Sequence, residues 1–434
     1  MGLNTVVVVI LVFILLGSGL YTGLALAGVG IIGLDFLRHL GGVIGAVLFN
    51  STNNFILAAV PMFLFLGQIV LHSGLSGKLY RGVSKWTCII PGSLLHSNIV
   101  ACSIFAAVSG SSPATAATIG TVAYPEQRDK GYNQGMVTGS LAAGGTLGIL
   151  IPPSINMIVY GAFVGASVGR LFAGGIIPGI ILASMFMVWI GFATMRNKSL
   201  APSRQRLTRH YFLDAIVAWK DVLPMFIIIV LILGSIYGGI MTPTEAAAAS
   251  AFLALLLGFV FGKADFTIMK NSGVEALRTT SMVLVLYIGA NILGSALGLL
   301  RIPAYLAKMV VAAELSPMGV WFAIIILYLI LGCFMDTLAM MLITLPVTYP
   351  LVVELCGFDP IWFGVQLVLL CEIGMITPPV GMNLFVIHGI AKGVSMGTII
   401  RGVLPFLGCL LLGLGLLTFF PDLILFLPAH MIGK

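Results

Sequence analysis

The chain has 434 residues, of which 59% are hydrophobic and only 8% are Asp, Glu, Lys or Arg, against about 25% charged in ordinary soluble domains. At a mean hydropathy of +1.14 no soluble core can hide that much apolar surface, so the excess faces lipid, which excludes a soluble enzyme, a nucleic-acid binder and a disordered scaffold. The net charge of +7 is then read as basic loops that hold a membrane topology, with membrane lipids and not nucleic acid as the partner.

A membrane-spanning helix needs about 20 apolar residues. Runs of that kind lie near 3–24, 24–40, 43–70, 171–195, 222–241, 242–262, 279–300 and 403–428. The segment from Leu3 to Leu16 has no basic leader and reads as a first span rather than a cleaved signal. The stretches 88–165 and 318–391 are apolar but repeatedly broken by Gly, Pro, Ser, Thr and Asn. About ten to twelve crossings, plus some incomplete ones, are expected. The cysteines stand singly without a CxxC, and the histidines make no HExxH or paired spacing, so no transition-metal site is expected.

Between two apolar arms, roughly 88–108 and 114–125, lies Ser109-Gly110-Ser111-Ser112-Pro113-Ala114-Thr115. Gly, Pro and small hydroxyl residues do not continue a helix, and irregular backbone is unsatisfied in lipid. The run reads as the tip of a re-entrant helical hairpin. There, free carbonyls and hydroxyls coordinate a cation and a helix N-terminus faces an anion. A tight turn, or small-residue packing between two ordinary helices, is the alternative. Next, Gly144-Gly145-Thr146-Leu147-Gly148, Pro152-Pro153 and Asn156 interrupt the apolar stretch 136–165. Adjacent prolines remove two backbone donors and disfavour helix before them, so this reads as one span broken in its middle.

The longest polar segment, Arg196 to Asp221, carries Arg196, Lys198, Arg204, Arg206, Arg209 and Lys220 against Asp214 and Asp221. The excess of positive charge places it in the cytoplasm. It divides the chain into a first repeat (1–195), a basic linker (196–221) and a second repeat (222–434). Within the second, Thr242-Pro243-Thr244-Glu245 reads as a capped helix start. Gly332-Cys333-Phe334-Met335-Asp336-Thr337 interrupts the apolar stretch 320–356. A carboxylate at membrane depth costs about 2.5–3.5 kcal/mol, so Asp336 should face a cation, a donor or a water-filled cavity. Glu372 precedes Gly374-Met375-Ile376-Thr377-Pro378-Pro379 and Asn383, which break another long run; it reads as a weaker, structural candidate.

The halves correspond. LLGSGLYTG at 15–23 is similar to LILGSIYGG at 231–239, Gly148 to Pro153 matches Gly374 to Pro379, Asn156 matches Asn383, and Gly165 to Gly169 matches Gly393 to Gly397. The later blocks are separated by 226, 227 and 228 residues. The turn Glu126-Gln127-Arg128-Asp129-Lys130 is of mixed charge and reads cytoplasmic. Its counterpart, Glu354 to Asp359, holds two acids and no base and reads external, although Arg301 and Lys308 fall on that side. The repeats are therefore expected to be inverted. Hairpins at about 88–125 and 318–356, and broken helices at about 133–165 and 361–391, stand at corresponding positions, which points to a transport site. The freed carbonyls suit Na⁺. No Arg or Lys lies in any break, so neutral donors, helix dipoles or bound cations must balance an anionic substrate.

At SGSSPATAATIG (109–120), GSLAAGGTLGILIPPSINMIVYG (139–161), MDTLAMMLITLPV (335–347) and EIGMITPPVGMNLFVIHG (372–389) the sequence resembles the large membrane subunit of tripartite ATP-independent periplasmic (TRAP) transporters, and the likeness runs nearly end to end. The resemblance implies an all-α, multi-pass protein of the bacterial inner membrane and an elevator mechanism, with a scaffold domain and a mobile transport domain. It implies Na⁺-driven import of an organic anion, together with a small four-helix membrane subunit and a periplasmic substrate-binding protein. No segment looks like that small subunit, which is expected as a separate chain. Carried over by motif, one Na⁺ site uses Ser109, Gly110, Ser111, Ser112, Gly145 and Gly148. The other uses Gly332, Asp336, Thr337, Gly374 and Thr377. The anion lies among Ser112, Thr115, Pro153, Asn156, Asp336, Pro379 and Asn383, and no cofactor beyond Na⁺ is implied.

There is no GxxxxGK[ST] loop to bind ATP. Each Na⁺ entering at about 100 mV gains roughly 2.3 kcal/mol and a tenfold gradient adds about 1.4 kcal/mol, so two supply roughly 7 kcal/mol. A monovalent anion entering against that voltage costs roughly 2.3 kcal/mol, and the remaining 5 or so supports about three decades of accumulation. The rival readings are a Na⁺/dicarboxylate symporter or cation/proton antiporter that needs no binding protein, a membrane-embedded enzyme, and a passive channel. Dicarboxylates, sialic acids, other sugar acids and sulfonates all remain open as cargo.

Overall fold

The computed structural model describes residues 2–35, 39–202 and 214–431. Arg38 and the centre of the basic linker, with Arg204, Arg206 and Arg209, lie outside the described residues. Among the described residues every regular element is a helix. The first half runs α1 (Gly2–Gly17), α2 (Thr22–Asp35), α3 (Gly42–Thr52), α4 (Ala59–His72), α5 (Leu75–Thr87), α6 (Leu94–Ser109), α7 (Ser112–Asp129), α8 (Gln134–Leu150), α9 (Ile155–Val164) and α10 (Val168–Arg196). The second runs α11 (Trp219–Tyr237), α12 (Pro243–Phe261), α13 (Phe266–Leu299), α14 (Ile302–Ala312), α15 (Pro317–Leu331), α16 (Thr337–Tyr349), α17 (Pro360–Ile376), α18 (Met382–Ile390), α19 (Met396–Phe419) and α20 (Asp422–Ala429). The same order occurs twice: a short arm helix (α5, α14), a hairpin (α6–α7, α15–α16), a broken helix (α8–α9, α17–α18) and a long closing helix (α10, α19).

Eight helices among the described residues are long and apolar enough to cross a membrane, fewer than the ten to twelve expected. Two local features divide or shorten the apolar runs. The apolar run 43–70 is cut at Asn53-Asn54, where the Asn54 side chain accepts from the Ile56 amide at 3.0 Å and starts a new turn. Hairpin arms and half-helices such as α6, α15 and α17, at 15–17 residues, are individually too short. At Thr242 a capping box starts α12, with Glu245 returning to the Thr242 amide at 2.8 Å.

The helices sort into two packing groups. In one, α2 and α3 lie on α13, α13 lies on α4, and α4 on α12. In the other, α8 is the hub: α6, α7, α10, α17 and α19 all pack on it. Glycines set the closest approaches, as lipid supplies no hydrophobic drive between helices. A Cβ on Gly289 would stand 2.1 Å from the Gly23 carbonyl at the α2–α13 crossing, and one on Gly139 2.2 Å from the Gly402 carbonyl at the α8–α19 crossing. Arm helix α5 packs on both α11 and α6. Its Tyr80 hydroxyl accepts from Gln127 of α7 at 2.8 Å, and Asn98 of α6 donates to Ser140 of α8 at 2.9 Å. These four side chains are fully buried and satisfy one another. Gln366, which stands in α17 where Ser140 stands in α8, donates instead to Thr418 of α19 at 3.2 Å.

Candidate functional site

Each hairpin tip rests on the break of the following helix. In the first repeat, α6 ends at Gly110 in the left-handed region (φ 60°), a conformation that suits glycine. Ser111 is extended, and Pro113 then sits in the first turn of α7, where its missing N–H is no loss. The tip is tied by Ser109 and Thr115, whose hydroxyls lie 2.8 Å apart, and by Thr115 donating to the Ser111 carbonyl at 2.8 Å. The break that receives it contains the cis Pro152-Pro153 bond. A Cβ on Gly110 would meet the Pro153 carbonyl at 3.1 Å, and one on Gly148 would meet the Ser111 carbonyl at 2.7 Å. Asn156 lies at the start of α9, buried, with its Nδ2 unpartnered.

The second repeat repeats the arrangement with different side chains. Its break also holds a cis bond, Pro378-Pro379. Gly332 and Gly374 meet backbone to backbone: a Cβ on either would lie 2.5–2.7 Å from the other's Cα. The Cys333 thiol donates to the Pro378 carbonyl at 3.6 Å. Asp336 is the N-cap of α16, its Oδ1 accepting from the Leu338 and Ala339 amides at 2.9 and 3.0 Å. Thr337 is buried behind it, and Thr377 ends α17 with its hydroxyl on the Ile373 carbonyl at 2.6 Å. Pro379 is exposed. The tips differ in cover: Ser112 and Thr115 are fully buried, whereas Phe334 at the second tip is 75% exposed.

The structure also joins the repeats, which reasoning within each repeat missed. Ser112 lies within hydrogen-bond reach of three groups: the Gly145 carbonyl at 2.9 Å, Glu372 Oε2 at 2.8 Å and Asn383 Nδ2 at 3.0 Å. Asn383 also donates to the Ala142 carbonyl at 3.3 Å. Glu372 and Asn383 thus come from the second broken helix to the tip and break of the first. Ser112, Glu372 and Asn383 are each fully buried. One hydroxyl proton faces two acceptors, and Glu372 Oε1 and Asn383 Oδ1 have no hydrogen-bond partner. Oxygens buried without partners are costly, and a hard cation is one group that satisfies several at once. Gly145 carries no Cβ because one would press on Ala116 at 2.7 Å and on Asn383 Nδ2 at 3.1 Å. Among the described residues no hydrogen bond joins Asp336 to the first tip.

Sequence and structure comparisons identify the family. Residues 7–423 match the family model of the tripartite ATP-independent periplasmic transporter, DctM component. The isethionate TRAP transporter permease DctMQ of Oleidesulfovibrio alaskensis is 33% identical, over 95% of this chain and 63% of that protein's own length. The C4-dicarboxylate TRAP transporter large permease DctM of Pseudomonas aeruginosa is 38% identical, over 88% of each chain. The crystal structure of the Alcanivorax borkumensis YdaH transporter, described as having an unusual topology, covers 91% of each chain with a TM-score of 0.60 at 16% identity, which is a likeness of fold alone. Transporter relatives leave the membrane-enzyme reading without support. The chain belongs to the DctM component family of tripartite ATP-independent periplasmic transporters, as a multi-pass large permease subunit of the inner membrane.

Proposed function

We propose that this chain imports an organic anion, a carboxylate, sugar acid or sulfonate, driven by Na⁺. It would do so with a small four-helix membrane subunit and a periplasmic binding protein that delivers the anion. The observation that carries the reading is the buried meeting of Ser112, Gly145, Glu372 and Asn383, with two acceptor oxygens left over at a hairpin tip. One Na⁺ is held between the Ser109–Ser112 tip and the Gly145–Gly148 turn, and a second between Gly332, Asp336 and Thr337 and the Gly374–Thr377 turn. Cations there offset the charge of an anion bound near the tips without any Arg or Lys. Ser112, Thr115, Pro153, Asn156, Asp336, Pro379 and Asn383 form the walls of that region. The two packing groups support an elevator, in which the group around α8 moves against the group around α13. Names of the relatives, which specify isethionate, C4-dicarboxylate and sialic acid, support an organic acid as the cargo.

The test is thermal unfolding of the chain purified with its small subunit, in NaCl and in KCl at equal concentration. A ligand at ten times its dissociation constant stabilises by about 1.4 kcal/mol, so a rise of about one to two degrees specific to Na⁺ is expected for a chain of this size. That rise should shrink in Ser112→Ala. Equal melting in both salts would refute the Na⁺ sites.

A further inference from the structure

A second feature lies at the first tip. A cavity of about 260 Å³ separates the tip from the opposite packing group. Its near wall is Ser109, Ser111, Pro113 and Ala114; its far wall includes Gln68 of α4 and Thr279 of α13. Asp, Glu, Lys and Arg are absent from the lining. Thr279 is engaged with the Glu275 carbonyl at 3.0 Å. The Gln68 side-chain amide and the Ser111 hydroxyl have no hydrogen-bond partner among the described residues, and Ser111 does not cap α7 although it stands at its N-cap position. Pro113 and Ala114 bring the N-terminal end of this 18-residue helix to the same space.

We propose that Gln68 is a substrate-binding residue supplied by the scaffold, donating to the acid group of a small aliphatic anion that fills this cavity. The proposal rests on the reading of the first tip as part of the transport site. Its chemistry follows from the lining. A carboxylate or sulfonate accepts strongly from amide and hydroxyl donors, and the positive end of α7 favours negative charge. At about 30 Å³ per water, the volume equals that of roughly nine waters in the liquid. A four-carbon dicarboxylate or a hydroxyethanesulfonate fits within that space; a nine-carbon sugar acid is much larger than either. Gly67 matters to the same wall, since a Cβ there would stand 3.3 Å from the Ser109 Cα and push the tip away. Gln68 belongs to the static group and Ser111 to the group proposed to move. An anion held between them is therefore bound by both in this register and loses Gln68 when the tip travels. An anion bound here favours this state by the affinity it draws from Gln68.

The experiment uses the chain purified with its small subunit. Melting is recorded with succinate, isethionate or N-acetylneuraminate, each in NaCl and in KCl. Succinate or isethionate should raise the melting temperature and N-acetylneuraminate should not. Gln68→Leu, close in volume but without a donor, should raise the acid concentration for half-maximal stabilisation about tenfold or more. Gln68→Glu should abolish the acid response by like-charge repulsion. Both variants should keep the wild-type gel-filtration profile and the Na⁺ response. An acid response that survives in both variants overturns the proposal, as does a wild-type protein indifferent to both small acids, or one that responds to the sugar acid as strongly. The acid response is read in both salts, so a missing Na⁺ response counts against the Na⁺ reading alone.

Discussion

Joining the repeats through one hydroxyl makes a quantitative prediction. Ser112→Ala removes the group that meets the Gly145 carbonyl at 2.9 Å, Glu372 Oε2 at 2.8 Å and Asn383 Nδ2 at 3.0 Å. Asn383 keeps a bond to the Ala142 carbonyl and the Gly145 carbonyl keeps its bond within α8, but the Glu372 carboxyl loses its own. At about 1–3 kcal/mol for a buried group left unsatisfied, the loss is about 1–3 kcal/mol. Glu372→Ala acts differently. Ser112 still has the Gly145 carbonyl, so the cost is one hydrogen bond plus the space left by the carboxyl, about 2–4 kcal/mol. In the double variant no carboxyl remains to be stranded. The combined loss should therefore fall short of the sum of the two by about 1–3 kcal/mol. Melting of the purified complex in KCl reads this, at about 1 °C per kcal/mol from roughly 2.1 cal/mol/K of unfolding entropy per residue over 434 residues. Losses that add within about 0.5 kcal/mol would mean the two side chains do not meet, and the proposed joint between the repeats would fall.

Three further outcomes are expected. Gly374→Ala presses a methyl group 2.7 Å from the Gly332 Cα; since backbone cannot yield as a side-chain end can, it should cost about 1–3 kcal/mol or more and stop uptake. Gly408→Ala, with open space around it, should stay within about 1 kcal/mol of wild type, and equal effects of the two in a melting and uptake comparison would refute the close-approach argument. Asp336→Asn keeps a good helix cap but drops the charge, so folding should hold while the Na⁺ response weakens; Asp336→Ala should lose about 1 kcal/mol of stability as well. An unchanged Na⁺ response in Asp336→Asn would leave this residue as a cap only. Thr242→Ala should cost about 1 kcal/mol in melting without altering Na⁺-dependent uptake, because the Thr242–Glu245 box lies at the start of α12, away from both tips.

Much of the architecture was legible because proline and glycine act locally. Pro152-Pro153 and Pro378-Pro379 stop helices wherever they stand, and their fixed spacing exposed the repeat. The tips at Gly110 and Gly332 were legible for the same reason. Averaged hydropathy hid the interruption at Asn53-Asn54, where two polar residues in a long apolar run start a new helix through a side-chain cap. Asp336 drew notice for its depth in an apolar stretch; its Asp-Thr position at a helix start was a readable cap signal that the depth argument overshadowed. Glu372 was underrated because its partner Ser112 is 260 residues away, and no periodicity encodes a contact of that range. The same holds for Asn383, which reaches 271 residues back to Ser112. Gln68 stands in an ordinary apolar helix beside no motif, and only the packing of α4 against the first tip draws attention to it.

The most direct test of the central claim is uptake into liposomes. The chain is reconstituted with its small subunit, supplied with its binding protein, and given labelled succinate or isethionate without ATP. An inward Na⁺ gradient should drive accumulation that disappears when K⁺ replaces Na⁺ and falls sharply in Ser112→Ala. Accumulation that proceeds equally in K⁺, or that a pH gradient alone sustains, would contradict Na⁺-driven transport at the hairpin tips.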